Sequence, residues 1–326
     1  MSMSARHDRQ SAIADASILG AALSIVLLAV VAKAAIVTGA FYVLFPELAA
    51  LSYDVFTRPS GTWARAPIML ATTPALTAAM GTVVTQVMTY GLWSVAITIA
   101  GAILIIGLLR SPIMPSISAA FLPVVFGITS WWYPISIAAV TILLALVSTI
   151  YGRVLTSDDN RHAPALAAVA QADDSGRGAT LRKWTRVCCF IACLLLVYGL
   201  AAATGLRLVL FPPLVMIAFE IFIHGNLRPW AKRPLTLPPV CTITAGVGLA
   251  MVLMFGPGPL SVAISLAAGI LTLRVLRFHF PPALAVSLLP QIMPQADWRF
   301  VLAIAVGTST LAGVFLLARL RIFPTP

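Results

Sequence analysis

Apolar positions run along this chain in long unbroken blocks, separated by short stretches of proline, glycine and single basic residues. Residues 1–15 are polar and carry Arg6 and Arg9; an apolar block then covers 15–44 and stops at Phe45 and Pro46. A short apolar piece over 47–56 is closed by a basic loop from Arg58 to Arg65. Two further blocks cover 67–89 and 91–109, followed by a short proline-bounded stretch over 112–127 and a block over 131–152. Apolar runs of about 18 residues or more are long enough to cross a bilayer as helices. The pattern therefore predicts an all-α, polytopic helical membrane protein. Residues 153–184 break it with Asp158, Asp159, Asp173 and Asp174 set among Arg153, Arg161, Arg177, Arg182 and Lys183. That stretch reads as a solvated, flexible linker.

Past the linker the pattern starts again. VTGAFYVLFP at 37–46 returns as ATGLRLVLFP at 203–212. Tyr53 to Phe56 returns as Phe219 to Phe222, Trp63 falls on Trp230, and Gly81 falls on Gly248. A register of 166 or 167 residues held over so many positions marks a tandem duplication. The predicted organisation is a tail over 1–15, a membrane repeat over 16–152, the linker, and a second membrane repeat over 185–322. Each repeat holds about four full spans and two short proline-broken segments.

The short segments set the plan of the molecule. FHFPPALAVSLLPQIMP at 278–294 is apolar enough for a bilayer, yet prolines stand near both its ends. Proline is tolerated in the first turn of a helix and breaks its interior, so 282–290 reads as a short helix with a broken entry and exit. RSPIMPSISAAFLP at 110–123 is its counterpart, with Arg110 on Arg277, Pro115 on Pro282 and Pro123 on Pro290. Paired broken helices in two halves of a membrane protein point to a transporter's substrate site. The two segments are expected to face each other across the repeat interface.

Composition agrees with a membrane chain: of 326 residues 60% are hydrophobic and only 10% charged, against about a quarter charged in soluble proteins. Mean hydropathy is +1.00. The net charge of +11 comes from basic residues scattered singly between apolar blocks, which reads as topology signal and not as a nucleic-acid surface. Arg58 and Arg65 share a repeat position with Arg228, Lys232 and Arg233, and Arg110 coincides with Arg277. An even number of crossings per repeat puts these, the tail, the linker and Arg319/Arg321 on one side, as the positive-inside tendency asks. Parallel repeats follow, in a cell inner membrane with both termini cytoplasmic. The first block is too long for a signal-peptide core and is expected to be retained.

Candidate chemistry is sparse. Lys33 lies inside the first block, where a cation either faces the bundle interior or snorkels to an interface. Asp54 and Glu220 are acidic at equivalent positions and read either as proton acceptors or as end-of-helix carboxylates beside basic loops. Arg207 either attracts anions or snorkels at the far interface. His279 directly precedes the second broken segment and titrates near neutrality; Arg110 and Arg277 stand at the mouths of the two segments. Ser116, Ser118 and Ser287 supply hydroxyls. The helix starts around Pro115 and Pro282 expose backbone N–H groups, and segments beginning at Glu47 and Pro213 offer a second pair of such ends. Together these suit a small, weakly hydrated anion, with the path biased positive by Lys33 and Arg207. Tryptophans 63, 93, 131, 132, 230 and 298 read as interfacial anchors, and Cys188, Cys189, Cys193 and Cys241 as small hydrophobes. There is no phosphate loop, zinc-ligand spacing or serine elbow, so neither an enzyme nor a cofactor is expected.

At the short segments the chain resembles the HPP family of integral membrane proteins. The matching run is Phe280 to Leu289, supported by the loop from Ala231 to Leu235 and by Asp297 to Phe300 before the last block. The first half matches more loosely, from Ile113 to Leu122. Phe280 stands where the naming histidine would be, with His279 one place early, so no role of that histidine carries over to Phe280. The resemblance implies a helical bundle, and its relatives include a plastid nitrite transporter. The layout is also similar to fusaric-acid-resistance-type aromatic acid exporters. A permease for a small, nitrite-like anion is thus the leading expectation. An exporter of aromatic or amphipathic carboxylates and a non-transporting scaffold are the alternatives; monomer and homo-oligomer both remain open.

Overall fold

The computed structural model describes residues 3–155, 177–224 and 229–321. The centre of the linker at 156–176, Arg228, and the end of the second repeat at 322 lie outside the described residues. The described residues form twelve α-helices and no strand. In chain order these are α1 (Met3–Thr38), α2 (Glu47–Thr57), α3 (Pro67–Val87), α4 (Leu92–Leu108), α5 (Ser116–Phe126) and α6 (Trp132–Leu155). The second half holds α7 (Arg177–Thr204), α8 (Pro212–His224), α9 (Leu237–Phe255), α10 (Pro259–Val275), α11 (Pro282–Leu288) and α12 (Trp298–Arg321). Six are long and apolar enough to cross a membrane: α1, α3, α6, α7, α9 and α12. The chain is a helical, multi-pass membrane protein.

Three helices in each half reach the length of a full span, and the fourth expected span of each half is a slightly shorter apolar helix. The blocks at 91–109 and its counterpart contain α4 and α10, each of 17 residues, or about 25 Å of helix. Both stop at a left-handed residue, Arg110 and Arg277, each at φ 49°. The Ser111 N–H reaches the Ile106 carbonyl at 3.0 Å and the Arg110 N–H reaches Gly107 at 3.1 Å. Phe278 to Leu273 at 2.9 Å and Arg277 to Arg274 at 3.1 Å repeat the arrangement. This is the paired carbonyl capping that normally places glycine at the left-handed position. A side chain there is strained, so Arg110→Gly and Arg277→Gly are each expected to raise stability by about 0.5–1 kcal/mol, read as a higher thermal midpoint in detergent.

The first block is likewise not one helix to residue 44. It breaks at Gly39, φ 70°, and continues as a 3₁₀ turn, Phe41–Val43; the second half breaks at Gly205, also φ 70°, before the 3₁₀ turn Arg207–Leu210. The Thr38 and Thr204 hydroxyls each donate to the carbonyl four residues back, at 2.7 Å. The chain then turns inward into the core helices.

Four short helices form that core. Every residue of α2 from Glu47 to Phe56, of α5 from Ser116 to Val125, of α8 from Pro212 to Phe222, and of α11 is buried. The longer helices jacket them and turn Val26, Val30, Leu104, Leu146 and Leu253 outward. Such irregular backbone is tolerated at membrane depth because protein surrounds it on all sides. α5 runs in the direction of α3: Ser111, Ala120 and Thr129 lie in order against Thr73, Gly81 and Gln86. The short segments therefore traverse the bundle and do not fold back on themselves.

α5 and α11 were expected face to face, and the packing corrects this. α5 packs chiefly on α3, α4 and α8; α11 packs chiefly on α9, α10 and α2. Each broken helix thus meets the short helix of the opposite half. The contact is antiparallel: Asp54 near the end of α2 meets His279 before the start of α11, and Pro46 before α2 lines the same small cavity as Ile292 just past α11.

Candidate functional site

Two groups of core polar residues stand at the two ends of α2. At its C-terminal end, Asp54 is buried while Arg58 and His279 keep partial exposure. Arg58, one turn on, donates to the Asp54 carboxylate, and the His279 Nε2 lies 3.1 Å from the same oxygen. The His279 ring stacks on Tyr53, with centroids 5.7 Å apart. Nearby, Arg274 of α10 donates to the Ser17 carbonyl at 3.1 Å. This cluster ties the first half to the second. It uses two expected residues, Asp54 and His279, on opposite sides of one side-chain contact.

At the N-terminal end of α2 stands Glu47, fully buried. Neither of its carboxyl oxygens has a regular hydrogen bond, although the Ser118 hydroxyl of α5 lies beside them. Tyr133 of α6 is also close, but its hydroxyl donates to the Ala119 carbonyl at 2.7 Å. A cavity of about 70 Å³ lies before the start of α2, with a mostly apolar lining that includes Phe45, Pro46, Leu122, Tyr133 and Ile292 but neither Glu47 nor Ser118. Its volume is that of about two water molecules.

The remaining expected residues divide between core and rim. Ser116 and Ser118 are buried with hydroxyls that lack a regular partner, as are Thr98 and Ser265, which sit 167 residues apart. Ser287 is buried and donates to the Leu284 carbonyl at 2.8 Å. Pro115 precedes α5 and Pro282 opens α11, both buried. Glu220 is fully buried in α8. Arg110 and Arg277 are exposed at the ends of α4 and α10. Arg207 is exposed and lies over the Tyr90 ring at 5.0 Å. Burial, with Tyr198 beside it, pushes the Tyr90 phenol up to about 12 against the pull of Arg207.

Lys33 does not line the interior. It belongs to the stripe of α1 that exposes Val26, Val30 and Val37, while Leu28, Val31, Ala32 and Ala35 turn inward. Five residues before Thr38, its stem is long enough to snorkel toward the interface. No lysine or arginine is buried among the described residues. The expected positive bias of the core is thus replaced by three carboxyl groups and several hydroxyls, with the cations on the rim.

Glu47, Thr98, Ser265 and Tyr133 were not among the expected site residues. Glu47 carried one legible signal, as an acidic residue opening a segment that is otherwise nearly all apolar. Thr98 and Ser265 carried another, as hydroxyls repeated at the duplication register. No metal-binding group of His, Cys, Asp and Glu forms among the described residues. Compared with family models, curated proteins and solved structures, the chain matches none.

Proposed function

We propose that this protein is a secondary transporter or channel-like permease for a small anion, nitrite-like in size and charge. The observation that carries the reading is the core itself. Four short helices, bounded by proline and glycine, are held inside a jacket of longer helices, and three carboxyl groups and several hydroxyls are buried in that core. A purely structural bundle gains nothing from burying three acidic side chains in a membrane. Discontinuous helices at the centre of two repeats are the usual setting of a transport site. The antiparallel contact of α2 with α11 supports parallel repeats, since inverted repeats would bring those helices together in the same sense. Both termini then lie on the cytoplasmic side of a cell inner membrane, and Arg58, Arg110, Lys232, Arg233 and Arg277 share it.

Resemblance to the HPP family adds nitrite as the first substrate to try. Proteoliposomes holding the protein are expected to take up labelled nitrite saturably and faster than empty liposomes. Equal flux in both would refute the nitrite assignment. Uptake of an aromatic carboxylate in place of nitrite would favour the exporter reading.

A further inference from the structure

Glu47 is the buried acid whose surroundings leave its charge uncompensated. Its two carboxyl oxygens make no regular hydrogen bond. The first free amides of α2 are already used, since the Leu48 N–H donates to Phe45 at 2.9 Å and the Ala49 N–H to Pro46 at 3.1 Å. Tyr133 has committed its proton to the Ala119 carbonyl. What stands beside the carboxyl is its own backbone N–H and the Ser118 hydroxyl, which has no regular partner of its own.

The elements packed on α2 bring no cation to this end. From α1, Lys33 points outward and Ser24 donates to the Ala21 carbonyl at 2.7 Å. From α6 come Tyr133 here and Tyr151, which packs on Phe56 at the far end. The 3₁₀ turn before α2 brings Tyr42, whose ring meets Tyr133 edge-on at 6.1 Å. α11 carries no titratable side chain, and His279 ahead of it is engaged by Asp54. Asp54 and Arg58 lie two and three turns along α2, so Asp54 is about 10 Å away. A bare carboxylate in such a place costs several kcal/mol or more, so the group is stable only when something positive joins it.

We infer that Glu47 is a proton-binding site in the core, with Ser118 as its hydrogen-bond partner. A proton fits where a metal ion does not, because what stands beside the carboxyl is a single hydroxyl and the group's own backbone N–H, which cannot bind a cation. In its simplest form the step is Glu47 carboxylate plus one proton giving the neutral acid, with the proton returned on the other side. Coupling to transport rests on the permease reading above: a proton carried with each anion cancels the repulsion between that anion and the carboxylates of the core.

The test uses the full chain in lipid bilayers and infrared difference spectra recorded along a pH titration. Wild type is expected to show the C=O stretch of a protonated carboxyl that fades as pH rises; Glu47→Gln should lack it, and Glu47→Asp should keep a shifted band. A Glu47→Gln spectrum that matches wild type at every pH overturns the proposal, as does a band that responds to sodium and not to pH. In proteoliposomes containing a proton-sensitive dye, nitrite entry should carry protons inward in wild type, and Glu47→Gln should lose uptake driven by an acid exterior while keeping nitrite exchange. A wild type that shows the band but moves no nitrite sinks the permease reading and leaves the proton site standing.

Discussion

Gly81→Ala and Gly248→Ala are each expected to destabilise the protein by about 3 kcal/mol or more, the upper end of what overpacking costs. A methyl at position 81 would fall under 3.0 Å from the Ala120 carbonyl oxygen, and one at position 248 equally close to the Ser287 carbonyl oxygen. Both obstacles are backbone atoms of the core helices α5 and α11, so no side chain can swing aside. The only relief is for α3 to part from α5, or α9 from α11. Either movement opens the shell around the polar core. Small residues at such crossings let helices approach closely, and that approach is what holds helices together in lipid. Gly246→Ala and Gly313→Ala are the controls, since nothing lies within 4 Å of an added Cβ there. They should be neutral or gain up to about 1 kcal/mol from helix propensity. Thermal melting in detergent separates the sets; a Gly81→Ala midpoint equal to that of Gly246→Ala would show that the two helices are not in contact.

Phe280→Ala is the second large effect. The side chain is fully buried, with its ring 5.4 Å from Trp230 at 67° and 5.7 Å from Phe278. Truncation of a buried phenylalanine costs about 3–5 kcal/mol in soluble proteins. Part of that is transfer from water, which a chain unfolded in lipid does not experience. The lost packing and edge-on ring contacts remain, so about 3 kcal/mol is expected here. Phe280 stands directly before the two prolines that start α11, next to His279. Its loss should therefore loosen the Asp54–His279 contact as well as the local core. Hydrogen exchange of the α2 C-terminal turn would rise in Phe280→Ala and stay unchanged if the two are independent.

Much of the architecture was legible in the order of residues. Proline placement marked α5 and α11 as short, because proline removes a donor and clashes with the preceding turn wherever it sits. The register of 166 or 167 residues predicted features that recur in space: left-handed Arg110 and Arg277, breaks at Gly39 and Gly205, and close crossings at Gly81 and Gly248. Lengths were less legible, since a run of apolar residues does not show where a helix ends inside it. The left-handed caps after α4 and α10 use arginine, which no turn rule would single out.

Composition, the positions of the apolar helices and the short core helices were determined by the sequence alone, through bilayer length, proline geometry and glycine's lack of a side chain. Only the tertiary structure decided which face of each helix looks inward, and so which charges belong to the core. That is why Lys33 moved to the rim, Glu47 moved to the centre, and α5 and α11 found partners in the opposite halves. The reason is physical: lipid tails and a protein core are equally apolar, so a membrane helix carries little of the polar–apolar periodicity that reveals the buried face of a soluble one.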